Sequence, residues 1–153
     1  MIRPATPDDA AAIVAVERAA FGPDVAWSAG LVDLELIAPG RVVVAAEQDD
    51  AMVGFASAAV IADVADLTRI AVRPHARRTG VARALLNALL EQAAERGAER
   101  MMLEVADTNE PALGFYAASG FSEVARRHDY YGRGVDAVVM ELAPIPGHDT
   151  LVS

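Results

Sequence analysis

The sequence predicts an α/β fold: a mixed, mostly antiparallel sheet of about seven strands with helices on both faces. Three observations lead there. Short β-rich runs alternate with runs of helical period along nearly the whole chain. Three consecutive β runs, 41–47, 52–61 and 66–72, are joined by short turns, so they form antiparallel neighbours. Residues 66–72, 81–96 and 100–105 then read as strand, helix and strand, which implies a right-handed crossover and one parallel pair.

Taken in order, residues 2–5 are a short strand, followed by Thr6-Pro7-Asp8-Asp9. A capping hydroxyl, a proline at the first helical position and acids in the first turn start a helix there. It runs to Phe21, with Ala10, Ile13, Val16 and Ala20 on one stripe, and Gly22-Pro23-Asp24 breaks it. Ser28 caps a second helix, 28–37, before Pro39-Gly40 turns the chain. Residues 48–51, Gln-Asp-Asp-Ala, form the hairpin between the next two strands, and a turn around Asp63 leads to the third.

The helix 81–96 buries Ala82, Leu85, Leu86, Leu89 and Ala93, and Gly97 terminates it in a left-handed conformation. In the strand 100–105, Met101, Leu103 and Val105 face one way while Met102, Glu104 and Ala106 face the other. Asn109 caps a helix over 110–118, and Gly120 stops it. Strands 122–129 and 136–142 flank a loop, Tyr130-Tyr131-Gly132-Arg133-Gly134. One domain over 1–142 is expected, with a flexible tail over 143–153 where the pattern is lost.

With 54% hydrophobic residues, disorder is excluded for most of the chain. The absence of cysteine removes disulfides, thiol catalysis and thiolate-held metal. His75, His128 and His148 lack ligand spacing, so no metal is expected. No apolar run reaches membrane-spanning length, so a soluble cytoplasmic chain without a membrane partner is expected. Thirteen basic and 22 acidic side chains give a formal charge of −9, a field that repels nucleic acid and favours a cationic partner.

Against that acidic background stands Arg77-Arg78-Thr79-Gly80-Val81-Ala82, with Arg83 following, between a strand and a helix. Helix-start N–H groups lack intrahelical partners and the helix dipole favours negative charge, so such a turn can hold phosphate through its main chain. Arginines 77, 78 and 83 can pair with phosphate oxygens, and Gly80 lets the chain approach closely. An ordinary loop with a solvated basic cluster is the competing reading. Glu104 in an apolar strand must face a cleft or a partner, or be a satisfied structural carboxylate. Tyr116, beside Phe115, reads on its own as a core aromatic. Arg126, Arg127, Tyr130 and Tyr131 line a binding groove or form an exposed hairpin.

Taken together, these segments resemble the Gcn5-related N-acetyltransferase (GNAT) superfamily from Ile2 to Leu142. Ile70-Ala71-Val72 with the following basic turn is similar to its acetyl-coenzyme A signature, Gln/Arg-x-x-Gly-x-Gly/Ala, with Ala82 at the last position. Leu103-Glu104-Val105, Asn109, Tyr116, Ser119-Gly120-Phe121, Tyr130-Tyr131, Asp136-Ala137 and Met140 resemble the RimI-type N-terminal acetyltransferases. Ala106 stands where those chains often carry arginine.

The resemblance implies the GNAT acyl-coenzyme A N-acyltransferase fold and acetyl-coenzyme A as cosubstrate. It implies Glu104 as general base and Tyr116 as the acid that protonates the coenzyme A sulfur. Ile70, Ala71 and Val72 would pair with the pantetheine arm; Arg77, Arg78, Thr79, Gly80, Val81, Ala82 and Arg83 would surround the pyrophosphate, and Asn109 would touch the cofactor. The implied acceptor is the N-terminal alanine of a small-subunit ribosomal protein, with a small amine or a non-catalytic acyl-coenzyme A module as alternatives.

Overall fold

The computed structural model describes residues 1–146. Seven strands form one sheet: β1 (Ile2–Pro4), β2 (Arg41–Gln48), β3 (Ala51–Ile61), β4 (Val64–Val72), β5 (Arg100–Ala106), β6 (Ser122–Gly132) and β7 (Val135–Leu142). Their order across the sheet is β1-β2-β3-β4-β5-β7-β6. Four α-helices complete the fold, α1 (Ala10–Phe21), α2 (Ala29–Ile37), α3 (Val81–Glu95) and α4 (Glu110–Ala118), with a 3-10 turn at Pro7–Asp9 ahead of α1. Every strand pair is antiparallel except β4–β5, as the crossover through α3 requires. Among the described residues no helix is long and apolar enough to cross a membrane.

The two faces of the sheet carry separate cores. Ile13 and Val16 of α1 and Val32 of α2 pack with Phe55 and Ala71 on one side. Leu85, Leu86 and Leu89 of α3 pack with Met101, Leu103, Phe121 and Met140 on the other, where Phe115 and Tyr116 of α4 join them. Close packing of α3 depends on Gly54 of β3: a Cβ there would lie 2.9 Å from the Ala71 carbonyl oxygen and 3.1 Å from Leu85.

Two features of β4 shape everything around it. Its pairing with β5 covers only Val64–Arg100, Ala65–Met101 and Asp66–Met102, after which the strands part. Its pairing with β3 slips by one residue, because Ser57 faces Arg69 while Ala58 faces Leu67, leaving Thr68 as a bulge. Leu67 and Ile70 pack toward α3, so the inserted residue makes Thr68 and Arg69 both face the α1–α2 layer. There Thr68 Oγ1 donates to Glu35 of α2 at 3.3 Å and to the Ser57 carbonyl at 2.9 Å. Arg69 donates through Nε and Nη2 to both oxygens of Glu17, at 2.9 and 2.7 Å.

Glu17 is fully buried and also accepts the Trp27 N–H at 2.8 Å. The Arg69 guanidinium lies 4.0 Å from the Phe21 ring centroid and 5.1 Å from that of Trp27, and donates to the Val25 carbonyl at 3.2 Å. One ion pair therefore ties α1, the α1–α2 loop and the β4 bulge together.

Two expectations need correction. The segment Tyr130-Tyr131-Gly132 is not loop but the end of β6. Asp129, at φ +53°, donates its N–H to Asp136 at 3.0 Å and accepts from the Gly134 N–H at 2.7 Å, so an irregular ladder shortens the expected loop to a turn at Arg133 and Gly134. The domain also does not stop at Leu142: Ile145 is buried against the α3 side, and its N–H donates to the Glu99 carbonyl at 2.9 Å. The apolar Ile145 side chain holds the chain past Pro144; the rest of the expected tail, 147–153, lies outside the described residues.

Removing one partner of a buried, hydrogen-bonded ion pair strands the other, at a cost of about 3–5 kcal/mol. Glu17→Ala should lower the unfolding free energy measured by urea titration by that amount, and Glu17→Leu combined with Arg69→Met should recover part of it. A loss below about 1 kcal/mol for Glu17→Ala would place the pair among weak surface contacts.

Candidate active site

The basic turn builds an anion site largely from main chain. Arg78 has φ +63° and Gly80 φ +86°, two left-handed residues around Thr79, whose hydroxyl donates to the Ala76 carbonyl. A left-handed non-glycine residue is uncommon and concentrates at functional turns. α3 then begins without a side-chain cap among the described residues, leaving its first N–H groups to a ligand. A cavity of about 520 Å³ opens there, lined by Val72, Arg77, Arg78, Gly80, Ala82, Arg83, Pro111 and Phe115.

The arginines divide their work. Arg77 is a brace as well as a wall: its Nε donates to the Val72 carbonyl at 3.2 Å and its Nη2 to the Ala20 carbonyl at 3.0 Å. It joins the turn to the end of α1. Arg78 and Arg83 are exposed and form no ion pair among the described residues, so their charge is available to a phosphate. The Val81 side chain is buried in the α3 core, leaving only its main chain to the turn.

The groove continues along β4. A second cavity of about 370 Å³ shares Val72, Arg77, Ala82, Pro111 and Phe115 and adds Phe21, Ile70, Asn109, Ala112 and Tyr116. The Ala71 side chain points into the opposite core, so only its backbone can take part. Asn109 accepts the Ala112 N–H at 3.3 Å through Oδ1, capping α4 and leaving its amide N–H donors for the groove. Tyr116 sits edge-on to Phe115 and Phe121, with ring centroids 5.2 and 5.6 Å away. Burial pushes its phenol up to about 12.

Glu104 lies on the other face of the sheet, as alternation along β5 requires, opposite Val139 of β7. It lines an open cleft of about 670 Å³ with Asp66, Leu67, Met102, Leu103, Ala125, Arg127 and Val139. Its Oε1 is 3.1 Å from Arg127 Nε. The cleft is open, and β6 beside it is exposed along its whole length.

Glu104 and Tyr116 are thus on opposite faces of the sheet, whose β4 and β5 part beyond Asp66 and Met102 to leave a gap. A donor lying against Ile70 and Val72 and an acceptor resting beside Glu104 would meet in that gap.

Sequence reasoning left the neighbouring arginines 126 and 127 undivided. Arg126 turns to Glu123 at 2.8 Å and lies 3.9 Å from Asp107 and Asp136, whereas Arg127 meets Glu104. Period-two alternation was the available signal. Tyr130 and Tyr131 stack edge-on at 5.1 Å, the Arg127 guanidinium lies 5.1 Å from the Tyr130 ring centroid, and the Tyr131 phenol is raised first by partial burial and then by the charge of Glu104. His128 lies with Asp129 and Asp136 within ligand distance of one another, in carboxylates already occupied by the turn's own N–H groups.

Comparison with known proteins gives the same picture. The model of the acetyltransferase (GNAT) family matches residues 12–121. The ribosomal protein bS18-alanine N-acetyltransferase of Escherichia coli is 39% identical over 99 residues, a match covering 62% of this chain and 66% of the relative, a little under two thirds. The enzyme of that name from Haemophilus ducreyi is 36% identical over 100 residues, covering 63% of this chain and 68% of that one.

The crystal structure of the ribosomal-protein-S18-alanine N-acetyltransferase from Escherichia coli superposes with a TM-score of 0.84 at 32% identity, covering 95% of this chain and 93% of the other. An aminoglycoside 6'-N-acetyltransferase complexed with coenzyme A shares the fold, with a TM-score of 0.85 at 20% identity over 95% of this chain and 98% of the other. The uncapped α3 start and the parted strands fit an acyl-coenzyme A donor, and with the family match they lead to one conclusion: the chain belongs to the acetyltransferase (GNAT) family.

Proposed function

We propose that this enzyme acetylates the N-terminal α-amino group of a protein, with the N-terminal alanine of a small-subunit ribosomal protein as the acceptor, by direct transfer in the cytoplasm. The observation that carries the reading is Glu104, a carboxylate set in an open cleft beside the β4–β5 gap, with Tyr116 across the sheet on the donor side. The relatives named for alanine N-acetylation supply the acceptor class. An open floor flanked by an exposed strand admits a chain end.

The chemistry follows from which groups face the gap. Main-chain groups of Ile70, Ala71 and Val72 pair with the pantetheine arm as an added strand would, and a β4 N–H is available to the thioester oxygen. The first N–H groups of α3, with Arg78 and Arg83, hold the pyrophosphate, while Arg77 steadies the turn and Asn109 donates from its amide. Bound there, acetyl-coenzyme A supplies the activated acyl group.

Glu104 takes the proton of the acceptor ammonium, directly or through a water, so that a neutral nitrogen forms the new C–N bond as the C–S bond breaks. Tyr116 keeps its proton throughout the neutral range and offers it to the departing sulfur. An α-ammonium loses its proton near about 7.7–8.0, a lysine near about 10.4, so a carboxylate base suits the former. No covalent enzyme intermediate is involved.

The Tyr116 assignment has a spectroscopic test. Its folded phenol is raised above the ordinary value, so the stability it contributes is present below about pH 10 and is lost as pH rises toward 12. Absorbance at 295 nm should show one of the three tyrosines ionising last, a step absent in Tyr116→Phe. Three tyrosines titrating together near about 10 would contradict a buried phenol.

The acceptor has a kinetic one. Alanine-initiated peptides should be acetylated at the α-amino group, located by mass spectrometry, faster than internal lysines or polyamines. Glu104→Gln should lower kcat/KM by about 100-fold near neutral pH, with partial recovery at higher pH. Exclusive acetylation of lysine side chains or small amines would overturn the N-terminal assignment.

A further inference from the structure

We propose that Arg127 is a specificity-determining residue that reads the carbonyl oxygen of the acceptor's first residue, so that Glu104 and Arg127 together select an α-amino acyl end over a simple amine. The proposal rests on the acceptor reading above and goes beyond it by naming what recognises the acceptor.

Arg127 is held in place without being used up. Its Nε meets one oxygen of Glu104 at 3.1 Å, and its Cζ lies 5.1 Å from the Tyr130 ring centroid. Its terminal nitrogens have no hydrogen-bond partner among the described residues, and its side chain is 57% exposed while lining the cleft. A planar fork with one edge on a carboxylate and its Cζ over a ring presents its remaining donors in a fixed direction. Glu104, for its part, meets Arg127 through Oε1 and has no other ion-pair partner among the described residues.

The cleft therefore offers a carboxylate oxygen and guanidinium N–H donors side by side over an apolar floor that includes Met102 and Val139. The first residue of a polypeptide carries the complementary pair, an ammonium nitrogen and a carbonyl oxygen three bonds away. A polyamine carries only the first, and brings further positive charge against an arginine that it leaves unpaired. The same side chain thus attracts one class and disfavours the other. Arg126, the neighbouring arginine, cannot substitute, since it is spent on Glu123.

The test compares one alanine-initiated peptide with the same peptide carrying an (E)-alkene in place of its first peptide bond, which removes the carbonyl and keeps the geometry. The parent enzyme should show a KM about tenfold higher for the alkene peptide, as expected for loss of one charge-assisted hydrogen bond. In Arg127→Met the KM for the amide peptide should rise about tenfold while that for the alkene peptide stays level or falls, so the gap closes. The thermal shift produced by acetyl-coenzyme A should be unchanged.

If the methionine variant does not fold, Arg127→Lys, which keeps the charge and loses the fork, serves the same comparison with a partly closed gap expected. An equal loss on both peptides, or no change on either, overturns the proposal while leaving the acceptor reading intact. Failure of the parent enzyme to acetylate the α-amino group of the amide peptide overturns the acceptor reading and the proposal with it.

Discussion

The arrangement depends on one buried ion pair. Glu17, with no exposure to solvent, receives two hydrogen bonds from Arg69 and one from the backbone of Trp27. Arg69 can reach it only because β4 carries an extra residue at Thr68, which turns two successive side chains toward the same layer. A strand of regular period would send Thr68 or Arg69 into the α3 core. Glu35 secures the other half of the bulge through Thr68 and the buried Ser57 hydroxyl. Carboxylates from two helices thus fix an irregularity in a strand, and that irregularity sets the backbone of Ile70, Ala71 and Val72 beside the gap.

Charge is distributed to match. The chain is strongly acidic overall, yet the donor groove begins with Arg78 and Arg83 at an uncapped helix start, where N–H groups and dipole add to the same sign. The acceptor cleft, by contrast, offers Asp66 and Glu104 with one cation, Arg127. On the proposed function, anionic donor and cationic acceptor are sorted to opposite faces, with Tyr116 on the first and Glu104 on the second. Arg77 shows how little separates binding from bracing. Its place in the signature turn suggests phosphate contact, but two of its nitrogens are taken by the carbonyls of Val72 and Ala20, so it contributes position as well as charge.

Much of this was legible in the sequence. The α4 limits, Glu110–Ala118, and the Asn109 and Ser28 caps followed from local chemistry, which short-range patterns report well. Glu104 stood out because a carboxylate interrupts an apolar alternation. What escaped notice is long-range. Glu17 looks like any helix acid between Val16 and Arg18, and only its distance to a residue 52 positions away reveals its role. The bulge is invisible because a run rich in β-formers gives no sign of one extra residue. Tyr130 and Tyr131 read as loop because Gly132 and Gly134 flank Arg133, while the carboxylates of Asp129 and Asp136 carry the strand through. Ile145, set between Pro144 and Pro146 where the pattern is lost, is held by a core contact that periodicity cannot forecast.

On the proposed function, the β4 backbone beyond the bulge and the first turn of α3 form one continuous donor site. Hydrogen–deuterium exchange with and without acetyl-coenzyme A tests it most directly. Exchange should slow in the peptides containing Ile70, Ala71 and Val72 and in those spanning Arg78 to Arg83, while β6 remains unchanged. Protection confined to β6 and β7, or none along β4, would contradict the account.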